Sequence, residues 1–387
     1  MFGLPLPEFS GVNYGQDEEV MENYRIEGTI NALALKNRGP LNITPGGTVD
    51  IAILDAYYHY GFYVFTEVLD SEELEDLEKD VADILERAPV TKGASLDRYG
   101  RPALGSNCKA RTVTMVKPLS DPLGGTNAKK GRHPVKMSEP DTPSGAPSYV
   151  MQIVVGSLQF SEACLRLYGH PKLLALAAVI NGLDFTPHNE GLWIKHPHLG
   201  GSVAWHQDGW THWESPDLVA GTHGFNFMPQ LYGCDAANGL WVVPCSHHKR
   251  ADIKEMFNSA GSDRLPEAVP LICGPGDVAI VDRQVVHGSF ANTSPKVRVT
   301  LGMGFHRLKS VLGVKGGGVH NPVRVYTAKQ IKHRSRLIMY GINARQQRFT
   351  EETPYEYQPL ANVGYDFRWT PDLLVSLKDY NLDDLGI

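Results

Sequence analysis

Val203-Ala204-Trp205-His206-Gln207-Asp208 is the stretch on which the fold turns. Apolar residues lead into it, and a strand here puts His206 and Asp208, two residues apart, on one face where both can bind a single metal ion. Outward from it, short segments rich in Val, Ile, Phe and Trp recur between Gly, Pro and Asn at 191–195, 202–210, 224–232, 240–244, 269–273, 277–282, 284–290 and 296–305. Strands at that spacing predict a sandwich or barrel rather than βαβ units. Helical patterns come first and strands afterwards, so the expected fold class is α+β: a double-stranded β-helix (jelly-roll) core with flanking N-terminal helices.

Towards the N-terminus, residues 1–50 are rich in Gly, Pro and Asn without a sustained period and read as an extended arm on the surface of the body. Residues 49–60 look helical and 61–65 form a short strand. Asp70-Ser71-Glu72-Glu73 then opens a helix whose Leu74, Leu77, Val81, Ile84 and Leu85 recur at three and four residues, with acids in the first turn and Pro89 ending it. From about 91 to 147 the composition shifts to Gly, Pro, Ser, Lys and Arg around one strand at 111–116. A loop longer than about 15 residues inside a compact domain points to a functional lid. Residues 151–168 read as helical and 171–180 as a small-residue helix. The expected organisation is an arm (1–50), a single jelly-roll domain (51–310) carrying the lid insertion, and a C-terminal extension (311–387) packed on it.

Length alone, 387 residues, would allow two or three domains. With 37 basic and 43 acidic side chains the formal charge is −6, and no basic stripe is present of the kind that tracks a phosphate backbone, so no nucleic-acid partner is expected. The densest basic stretch, Lys332-His333-Arg334-Ser335-Arg336 with Arg345 and Arg348 beyond, reads as a solvated helix face, the alternative being a pocket for an anionic substrate. Five cysteines with no CxxC pair argue against a disulfide framework and a zinc ribbon; Cys245 and Cys273 read as buried thiols in a reducing compartment. The first residues show no charged region followed by an apolar one, and the longest apolar run, 173–180, falls short of the ~20 residues that span a bilayer. A cytoplasmic protein with no membrane partner is expected.

The triplet His-x-Asp/Glu is weak by itself. It occurs three times, at His188-Asn189-Glu190, His206-Gln207-Asp208 and His212-Trp213-Glu214, where 15 histidines and 43 acids in 387 residues give one or two by chance. His188 follows Pro187 in a turn-like stretch and His212 lies between Gly209 and Pro216; only His206-Gln207-Asp208 sits in a convincing strand. The strongest third ligand is His287 in Val285-Val286-His287-Gly288-Ser289, after a Gly274-Pro275-Gly276-Asp277 turn whose Pro-Gly centre suits type II. Two histidines and a carboxylate form the facial triad that leaves positions open on Fe(II) for a bidentate cosubstrate and O2. Eleven residues after His287, Arg298 lies among Val297, Val299 and Leu301. A guanidinium there is costly unless it meets an anion, and its fork matches a carboxylate; an internal Arg to Asp/Glu pair is the alternative.

These residues resemble the phytanoyl-CoA dioxygenase family of Fe(II)- and 2-oxoglutarate-dependent oxygenases. The resemblance runs from about 50 to 308, through Tyr57-Tyr58-His59-Tyr60-Gly61-Phe62, Leu192-Trp193-Ile194-Lys195-His196-Pro197, Trp205-His206-Gln207-Asp208, Asn238-Gly239-Leu240-Trp241, Pro244-Cys245-Ser246-His247 and Gly276-Asp277, to His287-Gly288-Ser289 and Arg298. It implies iron held by His206, Asp208 and His287, and 2-oxoglutarate bound to that iron, with its distal carboxylate on Arg298 helped by Ser289. Asn189, Trp193 and Lys195 would face the same pocket. Because Asp208 is present, halogenation is disfavoured. The resemblance further implies a hydroxylase acting on a small-molecule substrate, most simply in specialised metabolism, with desaturation, ring closure or rearrangement starting from the same chemistry. Trp210, Arg111, Met115 and Lys117 are the candidate substrate contacts. The tail from 358 onward, with Tyr365 and Trp369, is expected to dock on the body or on a second copy, giving a homodimer through the C-terminal extension or the N-terminal arm. Two rivals keep the same ligands: a zinc-dependent hydrolase or isomerase, and a metal-binding jelly-roll protein without oxygenase activity.

Overall fold

A computed structural model, describing residues 9–44, 47–208, 213, 215, 223–316 and 324–384, carries most of its strands in two sheets. The first half of the chain supplies α1 (Glu18–Ala34), β1 (Arg38–Pro40), α2 (Ile51–Tyr60), β2 (Phe62–Thr66), α3 (Ser71–Glu86), β3 (Val113–Val116), β4 (Val150–Val155), α4 (Glu162–Tyr168) and α5 (Pro171–Asn181). The second supplies β5 (Thr186–Lys195), β6 (Val203–His206), β7 (Gly224–Pro229), β8 (Trp241–Val242), α6 (Ile253–Ala260), β9 (Val269–Pro270), β10 (Val278–Asp282), β11 (His287–Ser289), β12 (Arg298–His306) and α7 (Ala328–Arg348). The larger sheet has eight strands in the order β1-β2-β10-β7-β12-β5-β4-β3, and the smaller four in the order β6-β11-β8-β9. All neighbours are antiparallel except β1 and β2. Each of the eight segments read as strands in the second half contains one.

Strand alternation sorts the core into layers. On β2, Tyr63 and Phe65 point to a core shared with α2 to α5 and α7, while Phe62 and Val64 point to a core shared with Val242, Val269 and Leu271 of the smaller-sheet region. On β10, Val278 and Ile280 take the helix side, and Ala279 and Val281 the other. Burial on both faces is why these two strands read as continuous apolar runs. The helix layer is fixed by α3, where Asp70 accepts from the Glu73 backbone N–H at 2.9 Å and the Glu73 side chain returns to Asp70, a capping box that starts the helix whose Leu77, Val81 and Ile84 are buried.

Four expectations need correction. Residues 1–50 are not an extended arm: α1 lies against the smaller sheet, with Tyr24 stacked on Trp241 at 4.5 Å between ring centroids. A Cβ at Gly28 would sit 2.5 Å from the Trp241 ring, so only glycine lets the helix approach. The period was obscured because Val20, Ile26, Ile30 and Leu33 point to solvent while Met21 is buried. Residues 151–168 are not one helix; Met151-Gln152-Ile153-Val154-Val155 belongs to β4, paired with β3 and β5, and Gly156 at φ 74° turns the chain before α4. Cys245 is exposed, whereas Cys273 is buried as expected.

The basic stretch on α7 is neither a wholly solvated face nor a substrate pocket. Arg334 is buried with its Nε 2.5 Å from Asp384 Oδ1, Arg345 holds Glu73 at 2.5 Å and Glu352 at 2.6 Å, and Arg348 pairs with Glu72 and Asp76. These pairs tie α7 to α3 and to the tail. The tail itself docks on its own body, where Tyr357, Leu360, Trp369, Leu377 and Tyr380 join the helix-side core. Among the described residues no single helix is long and apolar enough to cross a membrane, and the bent pair α4 and α5, which approaches that composition, is largely buried in this core.

Candidate functional site

His206 and His287 stand directly opposite each other, paired across β6 and β11 with ring centroids 4.1 Å apart. Each side chain is oriented by the carbonyl two residues earlier in its own chain. His206 Nδ1 lies 2.8 Å from the Ala204 carbonyl and His287 Nδ1 2.8 Å from that of Val285. An Nδ1–H donated to a carbonyl leaves Nε2 as the free lone pair, the arrangement of a metal-ligating histidine. Asp208, just past β6, brings Oδ1 to 3.8 Å from His206 Nε2 and 4.0 Å from His287 Nε2. The ligand atoms of these three residues all lie within 4.8 Å of one another, the one such His/Cys/Asp/Glu group among the described residues.

Electrostatics keep this trio in ligating form. Burial pushes both imidazoles below their ordinary range, reinforced at His206 by His287 and His133 and only partly opposed at His287 by Asp208, so both stay neutral. Burial alone would raise the Asp208 carboxyl, but Arg283, with Arg132 and the Asn226 hydrogen bond, outweighs it and holds it below the usual carboxylate range. Arg283 Nη2 is 3.3 Å from Asp208 Oδ2, and Arg132 Nη1 is 3.8 Å from Oδ1. Asn226 Nδ2 donates to Oδ2 at 3.4 Å, and Arg283 Nη1 donates to Asn226 Oδ1 at 2.9 Å and Asn189 Oδ1 at 3.3 Å. A Cβ at Gly304 would come within 2.9 to 3.1 Å of three of these polar atoms, so the network requires a glycine on β12.

The face of the larger sheet opposite the helices holds the second group. Val299 and Leu301 of β12 pack on the helix side, so Arg298 and Thr300 point the other way, and their register partners on β5 are Lys195 and Trp193. Arg298 is buried and donates from Nη1 to the Asn238 carbonyl at 3.0 Å, while its Nε has no hydrogen-bond partner. No carboxylate among the described residues forms an ion pair with it, which removes the internal Arg to Asp/Glu alternative. Lys195, also buried, donates to the Phe290 carbonyl; burial and then Arg298 push its ammonium well below the ordinary lysine range. Ser289 shares the His287 face of β11 by strand alternation. A guanidinium and a lysine brought together inside a protein with no ion-paired carboxylate form a ready site for an anion.

The insertion at 91–147 is docked, not free. Leu119, Val135 and Met137 pack with Ala204 and Trp205, and Asp121 Oδ2 accepts from the Ala204 N–H at 2.8 Å, so the segment covers the edge of β6. It delivers Arg132 to Asp208 and lays the His133 ring 4.2 Å from that of His206, with His133 Nδ1 3.2 Å from the Ala204 carbonyl. Burial, with Arg132 beside it, pushes His133 down to about 3. Sequence reasoning missed Arg132, His133, Asn226 and Arg283. The signal available was the run Lys129-Lys130-Gly131-Arg132-His133, denser in cations than a plain loop needs.

The family model described as phytanoyl-CoA dioxygenase (PhyH) matches residues 57–300, well over half the chain. The chain belongs to the phytanoyl-CoA dioxygenase family. A curated relative, "Phytanoyl-CoA dioxygenase 1" of Oryza sativa subsp. japonica, is 30% identical over 119 residues, a match covering 28% of this chain and 41% of that protein. The chain thus spans about two fifths of the length of that relative. Among solved structures, EctD from S. alaskensis with 2-oxoglutarate and 5-hydroxyectoine is 19% identical with a TM-score of 0.49, covering 73% of this chain and 84% of that one. AviO1 from Streptomyces viridochromogenes Tue57 is 19% identical with a TM-score of 0.46, covering 66% and 94%.

Phytanoyl-CoA dioxygenase family enzymes use Fe(II) and 2-oxoglutarate with O2. The donor set fits that metal: two neutral imidazoles with free Nε2 and one ionised carboxylate, whose ligand atoms lie within 4.8 Å of one another, would hold Fe(II). The sequence-derived substrate contacts do not gather as one group. Trp210 lies outside the described residues. Met115 alternates with Thr114, which is in register with Ile153 and Trp193, and across a β4 bulge it pairs with Met151 of the helix-side core, away from the trio. Arg111 and Lys117 are exposed at the two ends of β3. Asn189 is held by Arg283 rather than presented to open space, whereas Trp193 remains half-buried on the inner face.

Proposed function

We propose that this member of the family is an Fe(II)- and 2-oxoglutarate-dependent oxygenase on a double-stranded β-helix core, acting by hydroxylation, or by desaturation or rearrangement, on a small-molecule substrate. His206 Nε2, His287 Nε2 and one Asp208 oxygen hold the iron; Arg298, with Lys195 beside it and Ser289 on the neighbouring strand, anchors the distal carboxylate of 2-oxoglutarate. Iron(II) with 2-oxoglutarate and O2 supplies the oxidising power to remove hydrogen from a substrate C–H, leaving succinate and CO2. The chain's own work is positional. The Ala204 and Val285 carbonyls hold the imidazole tautomers, and Arg283 and Asn226 orient the carboxylate. The segment around Arg132 closes one side of the space above the trio.

The observation that carries this reading is the pairing of a three-ligand centre with two buried basic side chains, Arg298 and Lys195, that have no ion-paired carboxylate among the described residues. A zinc hydrolase using the same ligands would have no use for those two cations, whose burial is costly until a carboxylate arrives. The test is succinate formation from 2-oxoglutarate by the purified protein with and without Fe(II), alongside the melting temperature with 2-oxoglutarate added. Iron-dependent succinate and a 2-oxoglutarate-dependent rise are expected, since a ligand that binds only the folded state stabilises it. A zinc-loaded protein indifferent to 2-oxoglutarate would overturn the assignment.

A further inference from the structure

A cleft of about 420 Å³ opens beside the trio, with Asp208 in its wall. One side is formed by Lys129, Lys130 and Arg132 of the docked insertion and the other by Arg250 and Lys254 at the start of α6. Five cations therefore line a space whose acids, among the described residues, are Asp208, already engaged by Arg283, and Asp252, whose Oδ1 caps α6 by accepting from the Glu255 N–H at 3.1 Å. Among the described residues Lys129, Arg250 and Lys254 form no ion pair with a carboxylate. Burial, and then Arg132 and Arg111, push Lys129 below the ordinary lysine range, so Lys129, Arg250 and Lys254 face this space with no ion-paired carboxylate among the described residues. The chain is net acidic at −6, so a cationic cleft is not what its overall composition would scatter there.

The backbone is held in this arrangement at a cost. Lys129 and Lys130 adopt φ of 52° and 59°, and Gly131 follows at 71°. Consecutive left-handed non-glycine residues are strained and persist where surrounding structure enforces them, commonly at ligand clamps. Here the enforcing contacts are those that dock the segment: Asp121 on Ala204, and Val135 and Met137 in the core against Trp205. The clamp is thus built from the same segment that places Arg132 on Asp208.

We propose that this cleft is the substrate subsite and that it selects a small molecule bearing an oxyanion group, a phosphate or a carboxylate, which Lys129, Arg250 and Lys254 grip while the rest of the molecule reaches the metal centre. The volume suits a small-molecule ligand, and paired lysines and an arginine converging from two walls are the side chains that bind such groups. The proposal rests on the oxygenase reading for what happens at the metal, but its anion site does not depend on turnover.

The test uses protein loaded anaerobically with Fe(II) and 2-oxoglutarate, so that the Arg298 site is filled. It is titrated with inorganic phosphate and, separately, with acetate, at constant ionic strength against sodium chloride, and binding is read by calorimetry. Saturable binding of either anion is expected, phosphate marking a phosphate-type substrate and acetate a carboxylate-type one. The double variant Lys129→Glu/Lys254→Glu should weaken that binding at least tenfold, and Lys332→Glu, an exposed lysine on α7, should not change it. Wild-type protein that binds neither anion above the chloride control overturns the proposal without touching the oxygenase reading, as does equal weakening by Lys332→Glu. Failure of 2-oxoglutarate loading, seen beforehand in the melting temperature, would instead count against that reading, while the anion titration of the unloaded protein still reports on the cleft through the same variants.

Discussion

Arg298 and Lys195 are register partners on β12 and β5, both buried, and among the described residues no carboxylate forms an ion pair with either. Two like charges side by side in a low-dielectric interior repel and lose hydration, so the protein without cosubstrate carries a penalty that a bound dicarboxylate removes.

Replacing Arg298 by Ala should therefore separate binding from folding. Truncating one partner of a buried charged contact costs about 2–5 kcal/mol, so the KM for 2-oxoglutarate should rise by roughly 30-fold or more. Without 2-oxoglutarate the melting temperature should hold or rise, because an uncompensated cation has gone. Succinate assays across 2-oxoglutarate concentration and melts with and without it check both halves; a lower melting temperature without cosubstrate would make Arg298 a structural group.

Asp208→Ala should lose iron and stability together. The carboxylate that faces Arg283 at 3.3 Å and Arg132 at 3.8 Å disappears, and removing one side of a buried ion pair costs about 3–5 kcal/mol. Bound iron per chain and urea midpoints measure the two losses. His206→Ala should abolish iron binding with a smaller stability change, since it removes no charge.

Asp121→Ala tests whether the 91–147 segment supports the centre from outside. Asp121 Oδ2 accepts from the Ala204 N–H at 2.8 Å and Oδ1 from the Leu123 N–H at 2.7 Å. Leaving such donors unmet costs about 1–3 kcal/mol, and the Ala204 carbonyl also orients His206. Lower stability with weaker iron retention is expected. Unchanged values for both would mean that the segment covers β6 without supporting it.

Acid should destabilise the protein partly through His247. Burial, with His248 beside it, pushes this group down from 6.5 to about 4. Below pH 6.5 the unfolded chain gains a proton that the folded chain refuses until near pH 4, so stability falls with falling pH by about 1.4 kcal/mol per pH unit in that window. Above pH 6.5 the contribution is complete and flat. Urea midpoints of wild type and His247→Asn between pH 7 and 4 should show a shallower decline for the variant; parallel curves would exclude this histidine as the source.

What could be read along the chain was whatever a strand period makes visible. His206 and Asp208 stand out because residues two apart share a face, and Arg298 because a guanidinium among Val297, Val299 and Leu301 breaks an apolar pattern. Arg283 could not be read this way. Asp282-Arg283-Gln284 looks like a polar surface turn, and it is buried only because the Gly224 carbonyl region of β7, Asn189 of β5 and Asp208 close around it. Helix α1 was hidden for the opposite reason, since its apolar residues point both to Trp241 and to solvent, leaving no single-period stripe.

The sequence by itself determined the strand-rich second half, the family, and the residues able to ligate a metal and meet a carboxylate, because these depend on side-chain chemistry and local alternation. Only the tertiary structure decided that the insertion is docked over β6 and brings Arg132 and a cationic wall to Asp208, that Lys195 lies beside Arg298, and that the basic residues of α7 are spent on Glu73 and Asp384. Such charges differ only in their partners, and partners distant along the chain meet through packing, which no local pattern records.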